Sequence, residues 1–186
     1  MQELSLNVLD IAQNSIRAGA SLIAITVTER RADAFLEISI ADNGCGMSRE
    51  QVERVMDPFF TTRTTRKVGL GVPFFKMSAE ATGGDFSIVS ELGAGTTTTA
   101  RYHTDHLDML PIGDMNATIL SLITMNPSLD FVYTRSLDEK TYLLDTRELK
   151  EVLEGVPLDT PDVVLYLKEA LEEGTAAILE GTPDTN

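Results

Sequence analysis

Between residues 2 and 18, apolar or small side chains recur at intervals of three and four, at Leu4, Val8, Ile11, Ala12, Ser15 and Ile16, with Gly19 just beyond. That period predicts an amphipathic helix stopped by glycine. The pattern then changes to β-branched runs at 22–28 and 35–40, separated by the polar stretch Arg30-Arg31-Ala32-Asp33, and predicts a strand hairpin. After a turn at 42–47, Ser48 with Gln51 three residues on forms a capping box for a short helix, which Asp57-Pro58 ends. Residues 67–81 predict a glycine-led helix stopped by Gly83-Gly84, with Pro73 tolerable only in its first turn. Strands are expected at 85–90 and 96–102 around Gly93-Ala94-Gly95, and a boundary at 104–113. Beyond it the pattern predicts helix at 115–125, strands at 131–134 and 141–145, helices at 146–153 and 161–173, and a frayed tail from Gly174 to the end. There are no internal repeats.

At 186 residues and 42% hydrophobic content, the chain can bury one core, or one core with a small appended unit. The expected division is 1–104 for the first unit and 105–186 for a small α+β extension. No run approaches the roughly 18 apolar residues of a membrane span, and the N-terminus lacks a signal-peptide layout, so a cytoplasmic protein is expected. One cysteine, Cys45, and two histidines, His103 and His106, give no internal disulfide and no zinc-site spacing.

Charge sharpens the division. Residues 1–104 carry 12 acidic and 10 basic side chains, whereas 105–186 carry 17 and 5, so most of the formal net charge of −14 lies in the second part. That field disfavours nucleic acid and anionic membranes as partners. It leaves a solvated surface or an acidic docking face for a protein partner.

Candidate chemistry begins with Asp10 and Asn14, four apart on one face of the first helix. The asparagine offers a neutral oxygen to a hard cation such as Mg²⁺, and the carboxylate could orient or deprotonate an attacking water. A buried hydrogen-bonded pair is the alternative. Asp42 ends the second strand beside Gly44 and Gly46, placed to accept from an exocyclic amine such as adenine's; ordinary turn chemistry would give the same residues. Gly69-Leu70-Gly71 opens a helix whose free amides could take phosphates, and Thr61-Thr62-Arg63-Thr64-Thr65-Arg66-Lys67 upstream has the hydroxyls and cations of a lid. A Walker A sequence and a Rossmann arrangement are both absent.

In their order these segments resemble the boxes of the GHKL ATPases, the gyrase, chaperone, histidine kinase and MutL superfamily. The resemblance covers about residues 4–103. Residues 9–20, Leu-Asp-Ile-Ala-Gln-Asn-Ser-Ile-Arg-Ala-Gly-Ala, are similar to the N box, with a MutL-like ending. Asp42-Asn43-Gly44-Cys45-Gly46-Met47 matches the G1 box, Asp57-Pro58-Phe59-Phe60-Thr61-Thr62 the histidine kinase F box, Gly69-Leu70-Gly71 the G2 box, and Gly93-Ala94-Gly95-Thr96-Thr97 the closing motif. The resemblance implies a Bergerat-type two-layer α/β sandwich, with helices on one face of a mixed, mainly antiparallel sheet. It also implies ATP and Mg²⁺ as ligands. Asn14 would ligate magnesium, Asp42 bind the adenine amine, Gly44 and Gly46 line the base, and Thr96 support it through a water. Gly69, Leu70 and Gly71 would cradle phosphates, with Thr62, Arg63, Arg66 and Lys67 in the lid. Asp10 stands where hydrolysing members carry a glutamate base, and its shorter side chain implies slower hydrolysis.

Three function classes follow: an ATPase or ATP-dependent switch, a protein kinase acting in trans on histidine or serine, and a nucleotide-binding interaction module without turnover. The helical hairpin that carries a histidine kinase's acceptor is expected to be missing, since the N box begins within a few residues of Met1. His106 to Pro111 echoes the acceptor motif but lacks its acidic neighbour, and reads as a linker. Lys140, Lys150 and Lys168 fall in no transducer motif. Expected partners are ATP, a protein engaging the acidic part, and a second copy of the chain in a homodimer.

Overall fold

The computed structural model describes residues 3–57 and 70–180. Thr62, Arg63, Arg66, Lys67 and Gly69, with Phe59 and Phe60, lie outside the described residues.

The first helix, α1 (Leu4–Arg17), buries Leu4, Val8, Ile11, Ala12 and Ser15 along one stripe, and Gly19 at φ 75° turns the chain away. The hairpin is formed by β1 (Leu22–Arg30) and β2 (Phe35–Asp42), in register Ile25 to Ile40 and Val27 to Ile38. Helix α2 (Arg49–Met56) carries the expected capping box: Gln51 N–H donates to Ser48 Oγ at 3.3 Å, and Ser48 N–H donates to Gln51 Oε1 at 2.8 Å. Helix α3 (Gly71–Ala81) has Pro73 in its first turn, where the missing N–H has no intrahelical partner to lose. Strands β3 (Asp85–Glu91) and β4 (Gly95–His103) follow. The remainder is α4 (Met115–Met125), β5 (Asp130–Leu137), β6 (Lys140–Asp145), α5 (Thr146–Leu153) and α6 (Pro161–Leu179).

One six-stranded sheet runs β3-β4-β2-β1-β5-β6, antiparallel throughout except where β1 pairs parallel with β5. Alternation sorts its two faces. Ile23, Ile25, Val27, Leu36, Ile38, Ile40, Ala100, Tyr102, Phe131 and Tyr133 point to one side and join a single core with α1, α3, α4 and α6. The other side carries hydroxyls and charges, with Ser39 bonded to Thr99 at 3.3 Å and Arg101 held between Glu37 and Asp85. The sheet is thus covered by helices on one face only, as the resemblance implies.

Residues beyond 104 extend this same sheet and core, since β5 lies beside β1 and Ile119, Leu122, Leu167 and Leu171 join the central cluster. The connecting segment returns to the start of α1, where Leu4 and Ser5 N–H groups donate to Pro111 and Ile112 carbonyls at 3.0 and 2.8 Å. The frayed tail expected from Gly174 is corrected in its first part. Helix α6 continues through Gly174 to Leu179 and buries Ile178. Gly174 stands inside the helix because a Cβ there would lie 2.2 Å from the Tyr142 ring.

Candidate functional site

Asp42 is the last residue of β2, directly across from Thr96 on β4. Its carboxylate is fixed by two donors on opposite oxygens. Ser15 Oγ–H donates to Oδ2 at 2.5 Å, and Gly44 N–H donates to Oδ1 at 2.9 Å. Ser15 is buried on α1, so the helix and strand are joined at this carboxylate. Each oxygen keeps further lone-pair capacity, so Asp42 remains an acceptor toward the space in front of it.

The turn after Asp42 is shaped by close backbone approach. Cys45 N–H donates to the Ala18 carbonyl at 2.9 Å, and a Cβ on Gly44 would meet that oxygen at 2.9 Å. Gly46 has φ +67°, and a Cβ there would stand 1.9 Å from the Glu91 carbonyl, so only glycine fits. Asn43 faces the other way: its Oδ1 accepts from the N–H groups of Ser21 and Leu22 at 2.9 and 3.0 Å. It staples the turn to the start of β1.

Thr96 is oriented by Ser90. The Ser90 hydroxyl donates to the Gly95 carbonyl at 3.0 Å, accepts from Met47 N–H at 2.8 Å, and lies 2.8 Å from Thr96 Oγ1. With Ser90's one proton committed, Thr96 donates to Ser90 and keeps its own oxygen as an acceptor.

These groups face a cavity of about 240 Å³ lined by Asn14, Ser15, Asp42, Gly46 and Thr96, with apolar walls from Ile11, Met47, Val55, Val72 and Ile88. A mostly apolar slot with a carboxyl acceptor at one side suits a flat heteroaromatic ring bearing an amine. Asp10 lies one turn before Asn14, against the start of α3, where a Cβ on Gly71 would be 2.7 Å from Asp10 Cβ. Partial burial raises the Asp10 carboxyl above its ordinary value of 3.8, and the Arg17 charge partly opposes this. Asn14 Oδ1 accepts from Arg17 Nη1 at 3.1 Å.

The structure therefore brings Asn14, Asp42, Gly46 and Thr96 to one cavity and sets Asp10 against Gly71. Gly44 holds Asp42 and does not line the cavity. Leu70 is exposed, and Val72, the second residue of α3, makes the wall instead. His106 caps its own linker turn, accepting from Asp108 N–H at 3.1 Å through Nδ1. Ser15 and Ser90 were missed as site residues. Their signal was a hydroxyl at an inward position of an otherwise apolar pattern.

A divalent cation is testable against these side chains. Among the described residues no three His, Cys, Asp or Glu side chains cluster into a metal cage. The available donors are the oxygens of Asn14 and Asp10, which fits a hard cation taking its remaining ligands from phosphates and water.

Residues 2–106 match the family described as histidine kinase-, DNA gyrase B-, and HSP90-like ATPase, and the chain belongs to that family. Curated relatives include the histidine protein kinase DivJ of Caulobacter vibrioides, 36% identical over 98 residues, covering 50% of this chain and 16% of that protein. Sensor histidine kinase ZraS of Escherichia coli is 32% identical, covering 49% of this chain and 19% of its own length. Sensor protein SrrB of Staphylococcus aureus is 35% identical, covering 52% and 17%. The match thus spans less than a fifth of each of these relatives. Among solved structures, the Aquifex aeolicus MutL ATPase domain complexed with ADP aligns at 13% identity and TM-score 0.48, covering 98% of this chain and 99% of that one. The topoisomerase IV ATP-binding domain of Francisella tularensis aligns at 18% and 0.46, covering 73% and 83%. No helix among the described residues is long and apolar enough to cross a membrane.

Proposed function

We propose that this chain binds ATP as its magnesium chelate and works as a slow ATPase or ATP-dependent switch. The observation that carries this reading is the Asp42 carboxylate, fixed by Ser15 and Gly44 at the side of an apolar-walled cavity whose lining also includes Asn14. Asp42 accepts the adenine amine, and its preference for a donor excludes a base that presents a carbonyl there. Thr96 adds a second acceptor through a water. Asn14 would hold the magnesium ion, which when bound supplies charge neutralisation to the phosphates. The amides at the start of α3, around Gly71, face the phosphates with the positive end of the helix dipole. Thr62, Arg63, Lys67 and Gly69 are assigned to the phosphate side by the family resemblance.

Asp10 acts as the proton acceptor for an attacking water. Its raised carboxyl makes it a stronger base than an exposed aspartate once ionised. Its side chain is one methylene shorter than the glutamate of hydrolysing relatives, so turnover is slow. The acidic part beyond residue 104 serves a protein partner, which closure around the nucleotide engages or releases.

A second reading, a protein kinase acting in trans, is favoured by the 32–36% identity to histidine kinases. Incubation with γ-labelled ATP separates the two: free phosphate supports the ATPase, and label transferred to added protein supports the kinase. Absence of both together with absence of nucleotide binding would remove the reading altogether.

A further inference from the structure

We infer that Arg17 competes with the divalent cation for Asn14 and so sets how much cation the nucleotide site requires. This rests on the reading of Asn14 as the cation's protein ligand. Arg17 Nη1 donates to Asn14 Oδ1 at 3.1 Å, across the three-residue spacing that puts both on one face of α1. Oδ1 is the sole strong acceptor of that carboxamide, since Nδ2 only donates. A guanidinium and a dication on the same oxygen repel each other, so loading the cation moves Arg17 away.

A neighbouring groove would receive the displaced guanidinium. Arg17 also borders the groove between α1 and α4, together with Gln13, Ser121, Met125 and Asn126. That groove lies at the C-terminal end of α4, where the helix dipole is negative. No basic residue occupies the last turn of α4, so Arg17 would supply the charge this helix end lacks. Asn126 spends its Nδ2 on the Leu122 carbonyl at 2.9 Å, which turns its oxygen into an available acceptor. Arg17 is therefore a positioning residue with two seats, one that blocks the cation and one that admits it. The second seat belongs to the segment beyond residue 104, which ties that segment to the nucleotide site.

The test is a fluorescent ADP analogue bound to the full chain, titrated first in EDTA and then with Mg²⁺, for wild type, Arg17→Gln and Arg17→Lys. The half-saturating Mg²⁺ concentration is expected to fall about threefold to tenfold in Arg17→Gln, the range for an exposed charge-assisted contact. Affinity in EDTA should stay within about twofold in both variants, which a general structural effect would not leave untouched. Arg17→Lys, a compact charge without the planar fork, should fall between the two. An unchanged or increased Mg²⁺ requirement in a folded Arg17→Gln protein overturns the inference while leaving the nucleotide site standing. Wild type that binds no analogue with or without Mg²⁺ overturns the underlying reading, and the inference with it.

Discussion

Ser15 and Asp42 meet at 2.5 Å, a buried helix hydroxyl donating to the carboxylate that ends β2. Their contact ties α1 to the sheet and aims the remaining lone pairs of Asp42 into the cavity. Ser15→Ala removes that donor and frees the carboxylate to turn. ATP affinity is expected to fall by about 1 kcal/mol, roughly fivefold, and the preference for ATP over GTP to narrow. Competition binding with both nucleotides checks this, and an unchanged preference would show that Ser15 does not orient Asp42.

Asp42→Asn is a stronger test of the same group. An amide can present a donor where the carboxylate presents only acceptors, so the exocyclic amine loses its partner or meets a like group. Expected is a loss of about 2 to 3 kcal/mol in ATP binding, on the order of a hundredfold, with the fold retained by circular dichroism.

Asp10 predicts a pH dependence. A general base must be ionised, and burial against α3 raises the Asp10 carboxyl above its ordinary 3.8. ATP turnover should therefore rise with pH through a midpoint above that value and then level off. Asp10→Asn should remove most of the turnover while ATP still binds. A variant with undiminished hydrolysis would take Asp10 out of the mechanism.

At the alkaline end, stability should decline as buried phenols come under pressure to ionise. Burial pushes the Tyr133 phenol up to about 12 from an ordinary 10.0, and Tyr102 is raised in the same direction. The raised folded value means that this stabilisation is complete below pH 10, where the unfolded phenol is also neutral, and is lost as pH rises toward 12. For Tyr133 the loss approaches about 2 to 3 kcal/mol. Denaturant melts across that window should show it, and Tyr133→Phe should flatten the decline.

Gly174→Ala tests the junction of α6 with β6. The added methyl would lie 2.2 Å from the Tyr142 ring, an overpacking expected to destabilise by about 1 to 3 kcal/mol. Nucleotide affinity should be retained, because the site lies on the far side of α1. A melting temperature equal to or above wild type would contradict the packing.

Much of this fold was legible because local patterns and tertiary packing agree. The stripe of α1, the alternation in β1 and β2, and the Ser48–Gln51 capping box each specify an element without help from distant residues. Helices α4 and α5 fall within the residues their periods marked. A frayed tail is expected from Gly174, whereas there the glycine makes room within α6 for an aromatic ring brought in by β6. The parallel pairing of β5 with β1 was not legible either. Both strands alternate correctly, but which strand a sequence-distant one adopts as neighbour is decided by how α4 crosses behind the sheet.

At the site, Asp42 and Asn14 stood out by chemistry and order, while Ser15 hid inside an apolar stripe. A small hydroxyl at a helix-buried position packs like alanine, so its bond to Asp42 becomes visible only when the strand end is placed beside it. Ser90 hid likewise on the face of edge strand β3 that Phe86 and Ile88 make apolar.

On the function proposed above, Asp42, Asn14 and the start of α3 define a single Mg-ATP site. Isothermal titration of the purified chain with a non-hydrolysable ATP analogue, with Mg²⁺ and then with EDTA, tests it most directly. Saturable one-to-one binding that strengthens with Mg²⁺ and is lost in Asp42→Asn is the expected result. Absence of adenine nucleotide binding by the folded wild-type chain, with or without the cation, would contradict it.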